Sequence, residues 1–294
     1  MYNIDCGIIG SGGYLGQQLF NYISKKKTPI RLIPYNRGNH SFIVESSTIQ
    51  NFDVLLNFGT PNEIVARQGG SIAKNAITEW SRHIRIAIEL SKPTHIVNVS
   101  TFHIFGNLMM QTDENSPTLG GNAYGDLHLK CLEVINEIAT EFGVAITTVI
   151  PTNIYGTVNK DLVPRSDLIL NLAINKLLLN ESVKLNSSGN SFRDFLWIED
   201  ALEALCATIF NTPSSPSGRF VIASEHTYTV RNALEILFSV LGSGEFNNWC
   251  KFGLIQEDVA PFSFSCDKLR LFMKNWQPKS IFNAGLVQKS IFNQ

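Results

Sequence analysis

The sequence predicts an α/β fold built on a doubly wound parallel sheet, and two observations lead there. Short β-rich runs alternate with longer helical patterns through the first half of the chain. The runs are also continuously apolar rather than alternating, the pattern of strands covered by helices on both faces.

The elements follow in order. Ile4 to Ile9 is a compact apolar run ending in a glycine cluster, and Tyr14 to Ser24 then places Leu15, Leu19, Phe20 and Ile23 at helical spacing. Ile30 to Ile33 reads as a second strand, Ser41 to Val44 as a short third and Asp53 to Phe58 as a fourth. From about Ile72 to Leu90 the pattern is helical, with Ile77, Trp80, Ile84 and Ile88 on one stripe. Ile96 to Val99 is a strand, Ala123 to Phe142 a long helix and Val144 to Ile150 another strand. After Gly156 the pattern changes: Asp161 to Asn180 is helical, Asn186 to Asn190 is a turn cluster, and Val230 to Leu241 is a helix. Phe195 to Ile198 and Phe220 to Ile222 are expected to return as strands to the sheet. With no internal repeat and no low-complexity linker, the second half reads as a smaller, mixed lobe interleaved with the first. The expected division is a dinucleotide-binding domain over 1–156, with return segments at about 190–225, and a substrate-binding lobe over 157–189 and 226–294.

Composition narrows the function classes. The 294 residues carry 24 Lys+Arg against 25 Asp+Glu, a formal charge of -1, so a generally basic, nucleic-acid-coating surface is not expected. No apolar run approaches the roughly 20 residues that span a bilayer, and Met1 to Cys6 lacks the basic and apolar regions of a secretion signal. Five scattered cysteines, odd in number and never in a CxxC pair, argue for reduced, mostly buried thiols and against a zinc site. The expectation is a cytoplasmic protein with no nucleic-acid, membrane or metal partner.

The glycine cluster carries the first chemistry. Gly10-Ser11-Gly12-Gly13-Tyr14-Leu15-Gly16 lies between the first strand and the first helix, the corner of a Rossmann sheet. Glycines there permit a tight turn and close approach to a pyrophosphate, and the helix start supplies free N–H groups. Gly10, Gly13, Tyr14, Leu15 and Gly16 are the candidate cofactor-binding residues. At the end of the second strand an acid would bind a ribose 2′-hydroxyl and an arginine a 2′-phosphate. Here Asn36 and Arg37 follow Tyr35 with no acid, which points to NADP(H), with NAD as the alternative.

Two further segments make a family resemblance specific. Val97-Asn98-Val99-Ser100-Thr101-Phe102-His103-Ile104-Phe105-Gly106 resembles the strand-end motif of the extended short-chain dehydrogenase/reductases, the NAD-dependent epimerase/dehydratase family. Ala123-Tyr124-Gly125-Asp126-Leu127-His128 stands where that family carries Tyr-x-x-x-Lys at the start of a long helix. Four residues apart, both side chains share one helical face. The resemblance implies that Thr101 holds the reacting sugar oxygen and that Tyr124 exchanges a proton with it while hydride moves to or from a nicotinamide. His128 replaces the lysine that would hold the ribose and lower the tyrosine pKa from about 10. Lys130, six residues along, points to a different side. A catalytic role for His128 is expected to be assistance when protonated. The rival reading is a binding protein that kept the fold and lost efficient redox chemistry.

The resemblance runs from about Ile4 to Pro278 and extends to the substrate. Pro151 to Gly156 resembles a segment whose asparagine contacts the sugar-nucleotide pyrophosphate, which implicates Asn153. Phe192 to Asp200 resembles an Arg-Asp-Phe motif whose arginine binds a diphosphate, which implicates Arg193, either as a bidentate clamp or as the partner of Asp194 or Asp200 at a corner. Glu257-Asp258, Asp267-Lys268 and Trp276-Gln277-Pro278 resemble the closing pattern, with Ile255 and Gln256 where a basic residue often stands. His103 is either an additional acid/base near the sugar or a polar residue at the pocket rim. Thr101-Phe102-His103 lacks the acid pair of the 4,6-dehydratases. The chain is most similar to nucleotide-sugar 4-ketoreductases of deoxysugar pathways. A 4-epimerase with tightly held NAD is the alternative, and a dehydrogenase of some non-nucleotide molecule a third. The family usually pairs through the helices around Trp80 and Tyr124, which implies a homodimer.

Overall fold

A computed structural model of the protein describes residues 4–43, 51–106, 108–158, 165, 167–210, 217–255, 261–274 and 276–278. The strands are β1 (Ile4–Ile9), β2 (Ile30–Asn36), β3 (Ser41–Phe42), β4 (Val54–Asn57), β5 (His95–Val99), β6 (Ala145–Pro151), β7 (Asn153–Tyr155), β8 (Val183–Lys184), β9 (Phe192–Trp197), β10 (Ser217–Ile222), β11 (Thr227–Thr229) and β12 (Cys250–Lys251). The helices are α1 (Tyr14–Lys26), α2 (Glu63–Gln68), α3 (Gly70–Ser91), α4 (Ala123–Phe142), α5 (Ile169–Leu178), α6 (Ile198–Phe210), α7 (Val230–Leu241), α8 (Phe246–Trp249) and α9 (Asp267–Phe272), with a 3-10 turn over Phe102–Phe105.

The chain divides into two compact units. The first holds residues 1–107, 114–151 and 202–221, the second 108–113, 152–201 and 222–294. A seven-stranded sheet runs in the order β10-β6-β5-β4-β1-β2-β3. The ladders β1–β2, β1–β4, β4–β5 and β5–β6 are parallel, and the short edge strand β3 runs antiparallel to β2. The doubly wound parallel sheet is therefore present, and β4 and β5 are buried along their whole length, as their continuous apolar runs require. One layer beside it packs Trp80, Ile84, Ala87 and Ile88 of α3 and Leu127, Cys131, Ile135 and Ile138 of α4 against Ile9, Leu55 and Ile96. At about 25 cal/mol per Å² of apolar area, this burial is the main stabilising term of the unit.

Most elements lie where the sequence puts them, and the departures have local causes. The helix α2, not read from the sequence, starts because the Asn62 side chain accepts a hydrogen bond from the Val65 N–H at 3.2 Å. Helix α5 begins at Ile169, not Asp161, because Leu168 is still extended; residues 161–164 and 166 lie outside the described residues. The segment around Phe195 does not return to the large sheet. It forms β9, central to a separate three-stranded sheet of order β11-β9-β7, whereas β10 does join the large sheet beside β6. Pro151 ends β6 without an N–H to donate, the Thr152 N–H still reaches Ile222 O at 3.0 Å, and from Asn153 the chain pairs with β9. All five cysteines are free and buried. Among the described residues, no helix is long and apolar enough to cross a membrane.

Candidate active site

The glycine loop of the first unit has the geometry a dinucleotide pyrophosphate needs. Gly10 has φ +85°, and a Cβ there would lie 2.7 Å from the carbonyl carbon of Phe58 after β4. A Cβ on Gly16, in the first turn of α1, would lie 2.6 Å from the Ser11 carbonyl oxygen, so only glycine lets helix and loop close on each other. A Cβ on Gly12, by contrast, would meet nothing within 4 Å. Gly13 donates its N–H to Gly10 O at 3.0 Å and caps α1 without a side chain. Tyr14 and Leu15 open the helix, whose first turn holds no acid, so its positive end is available to an anion. These residues fit a nicotinamide dinucleotide.

At the end of β2, Asn36 and Arg37 are exposed. The Asn36 carbonyl Oδ1 accepts from the Gly38 N–H at 2.8 Å, and Arg37 Nη2 donates to Gly59 O at 3.0 Å. The arginine thus lies across the ends of β2 and β4 while keeping further guanidinium N–H groups for a ligand. Beneath the β4 loop is a buried polar network that the sequence reading missed. Asn57 Nδ2 donates to Asn98 Oδ1 at 2.7 Å, and Asn57 Oδ1 accepts from Trp80 Nε1 at 3.3 Å and from the Gly59 N–H at 3.1 Å. The available signal was an asparagine at the carboxyl end of each of two neighbouring apolar strands.

The candidate reacting groups gather at the end of β5 and the start of α4, in the same unit. Thr101 is buried, and its Oγ1 accepts from the His103 N–H at 3.4 Å, which opens the 3-10 turn and leaves the hydroxyl proton to donate elsewhere. Asn122 caps α4, its Oδ1 accepting from the N–H groups of Tyr124 and Gly125 at 3.1 and 2.9 Å. A Cβ on Gly125 would lie 2.3 Å from the His103 carbonyl oxygen, so the absence of a side chain lets α4 close on the turn. That contact sets the Tyr124 ring between two imidazoles, 5.5 Å from His103 and 4.6 Å from His128, centroid to centroid. His103 also stacks on Phe102 at 4.2 Å, and its Nδ1 lies 3.5 Å from Asn122 Nδ2.

His128 is 4% exposed, and its Nδ1 lies 3.4 Å from Ser100 Oγ. Burial, reinforced by His103, pushes its imidazole pKa down to about 4. Assistance by a protonated His128 does not accord with this environment: with a pKa of about 4 the ring is neutral near pH 7, a form that can still donate and accept hydrogen bonds. Ser100 was not singled out in the sequence, although it adjoins Thr101.

The second unit holds the other candidates. Asn153 of β7 pairs in register with Phe195 of β9, and its Nδ2 donates to Asp194 O at 2.9 Å. Arg193 is half-buried, and its Nη1 donates to Phe192 O at 2.8 Å. Asp194 is fully buried, and its Oδ1 accepts from Thr152 Oγ1 at 2.6 Å and from the Ser224 N–H at 2.9 Å. Of the closing pattern, Gln256, Glu257 and Asp258 lie outside the described residues.

Comparison with known proteins settles the family. The sequence profile of the NAD dependent epimerase/dehydratase family matches residues 7–223. The chain belongs to this family. It is thus an enzyme of the NAD(P)-dependent oxidoreductase and epimerase class, as the resemblance implied. Solved structures share its fold at low identity. The dTDP-glucose 4,6-dehydratase of Bacillus anthracis in complex with NAD matches with a TM-score of 0.76 at 15% identity, over 98% of this chain and 95% of that one. The protein RMD of Pseudomonas aeruginosa complexed with NADPH matches with a TM-score of 0.75 at 14% identity, over 98% of each chain. The UDP-glucuronic acid 4-epimerase of Bacillus cereus, in complex with UDP-glucuronic acid and NAD, matches with a TM-score of 0.76 at 16% identity, again over 98% of each. For this epimerase/dehydratase family member a nicotinamide cofactor accords with the glycine loop.

Proposed function

We propose that the protein reduces a keto group on a nucleotide-linked deoxysugar with NADPH. The observation that carries this reading is the grouping of Thr101, His103, Tyr124 and His128 in the unit that also holds the glycine loop. A bound nicotinamide would supply the hydride. The Thr101 hydroxyl donates to the substrate carbonyl oxygen and holds it, and the Tyr124 phenol gives its proton to the alkoxide that forms there. One hydride and one proton thus convert the ketone to an alcohol. Neutral His128 holds the ribose by a hydrogen bond, and His103 lines the sugar side of Tyr124. Asn153 and Arg193 bind the diphosphate, the arginine through its planar fork. Arg37, assisted by Asn36, selects the 2′-phosphate of NADP(H). Elimination of water is disfavoured, because Phe102 and His103 follow Thr101 where an acid pair would be needed. Two copies pair as a homodimer through α3 and α4.

The test is to identify the dinucleotide released from purified protein, titrate NADP against NAD, and follow NADPH oxidation with nucleotide-linked 4-ketosugars. The reading expects exchangeable NADPH bound at least tenfold more tightly than NADH, and oxidation with at least one ketosugar. Tightly retained NAD would turn the assignment to an epimerase, and failure to bind either would remove the redox reading.

A further inference from the structure

The two faces of the small sheet β11-β9-β7 carry different chemistry. Successive strand residues point to opposite faces, and partners in register share one. Tyr228 stands opposite Arg193 and Asn153 beside Phe195, so Arg193, Asn153 and Tyr228 belong to one face. Thr227 stands opposite Asp194, on the other face, where Thr152 also meets the carboxylate. There Asp194 is completely buried and joins three pieces of chain: Thr152 just before β7, its own strand β9, and the turn at Ser224. Its main-chain carbonyl holds the Asn153 amide as well.

Filling space does not account for this residue. A fully buried position of this kind suits an apolar side chain, and a carboxylate there is costly unless its oxygens are satisfied. Oδ1 has two close donors, whereas no donor among the described residues meets Oδ2 in hydrogen-bond geometry. Burial pushes the acid up to about 6, with Thr152 and Ser224 pulling it back, so at neutral pH the charge is held at a cost to the fold. Its sequence neighbours explain what that cost supports. Arg193 directly precedes Asp194, and Asn153 directly follows Thr152, so one buried hydrogen bond fixes the spacing of the two residues that face the ligand.

We infer that Asp194 is a positioning residue for diphosphate recognition, acting through Thr152 and the Ser224 amide to set Asn153 and Arg193. The inference rests on the reading that Asn153 and Arg193 bind the diphosphate of the substrate, and the experiment separates the two. UDP, dTDP, CDP and GDP, and the matching monophosphates, are titrated calorimetrically into the full-length NADP-loaded protein and into Asp194→Ala, Asp194→Asn, Thr152→Val and Thr152→Ser. The tightest diphosphate is taken as the probe. Asp194→Ala and Thr152→Val are expected to weaken it at least tenfold and the monophosphate less than threefold, with NADP affinity unchanged within twofold. Asp194→Asn and Thr152→Ser, which keep an acceptor and a hydroxyl, stay within threefold of the parent. Thr152→Val keeps the shape of the side chain and decides the matter if Asp194→Ala does not fold. Folded variants that bind the diphosphate as the parent does would overturn the positioning role alone, as would equal losses of diphosphate, monophosphate and NADP. A parent protein that binds none of the four diphosphates would overturn the underlying reading of Asn153 and Arg193, and this inference with it.

Discussion

His128 in the first unit and Asp194 in the second are both ionisable and both shut away from water, yet the structure treats them differently. His128 meets one hydroxyl, that of Ser100, at a long 3.4 Å, and beside it stands a second imidazole that only disfavours its charge. Asp194 accepts from a hydroxyl at 2.6 Å and an amide at 2.9 Å, and both favour its charge. Burial pushes each toward its neutral form by a similar amount. At pH 7 the histidine is uncharged, whereas the aspartate, with a pKa of about 6, is mostly ionised. Similar burial therefore does not mean equal charge. An imidazole that starts near 6.5 and is pushed down is neutral at pH 7, whereas a carboxyl that starts near 3.8 and is pushed up to about 6 is still mostly ionised there.

The largest effect sharpens the first half of that contrast. If Tyr124 is the proton donor and neutral His128 only a holder, Tyr124→Phe should lower turnover by at least a hundredfold with cofactor affinity unchanged, while His128→Gln should stay within about tenfold. Stopped-flow NADPH oxidation and a fluorescence titration of NADPH check both.

The next effect tests the opposite signs directly. The His128 pKa is lower in the folded protein than the ordinary 6.5, so its contribution is whole above about pH 6.5 and is lost as pH falls toward 4. The Asp194 pKa is higher in the folded protein than the ordinary 3.8, so its unfavourable contribution is whole above about pH 6 and fades as pH falls toward 4. Each amounts to about 3 kcal/mol at 1.36 kcal/mol per pKa unit. Denaturant unfolding between pH 4 and 7.5 should show the advantage of the parent over His128→Gln shrinking on acidification, and its advantage over Asp194→Asn growing. Tyr228, Glu225 and Cys266 also sense or adjoin Asp194, so the difference between parent and variant is the quantity to read.

Smaller effects separate the two units. Arg193→Ala should weaken nucleoside diphosphate binding roughly tenfold to a hundredfold, the loss of charge-assisted hydrogen bonds, and leave NADP binding unchanged. Gly125→Ala should act on the first unit instead. Glycine to alanine inside a helix ordinarily gains up to about 1 kcal/mol, but here the new Cβ meets the His103 carbonyl oxygen at 2.3 Å. A loss of about 1–2 kcal/mol in stability is expected instead, with turnover reduced and diphosphate affinity intact.

How much of this the sequence carried depends on the range of the interaction. The large sheet was legible because its central strands are mostly apolar, and α4 and α7 lie where the sequence placed them to the residue. The alignment of Tyr124 and His128 on one helical face is likewise local geometry, and their rings do meet. Pairings across the chain were not legible. The segment around Phe195 has the composition of a core strand, and only the tertiary partner decides that it joins β7 and β11 instead of the large sheet. The same holds for the Thr152–Asp194 bond, 42 residues apart, and for Asn57 and Asn98, whose polarity in apolar strands marked them without naming their partners. The protonation of His128 was read from its type and its motif position, and burial by residues distant in sequence reversed it.

The most direct test of the account is a nitrogen-15 NMR titration of the histidine rings in the full-length protein, with His128 assigned by its disappearance in His128→Gln. The account predicts a neutral His128 ring throughout pH 5.5 to 8, with its midpoint near 4. A midpoint at 6.5 or above would show a cation beside Tyr124 in the working range and contradict it.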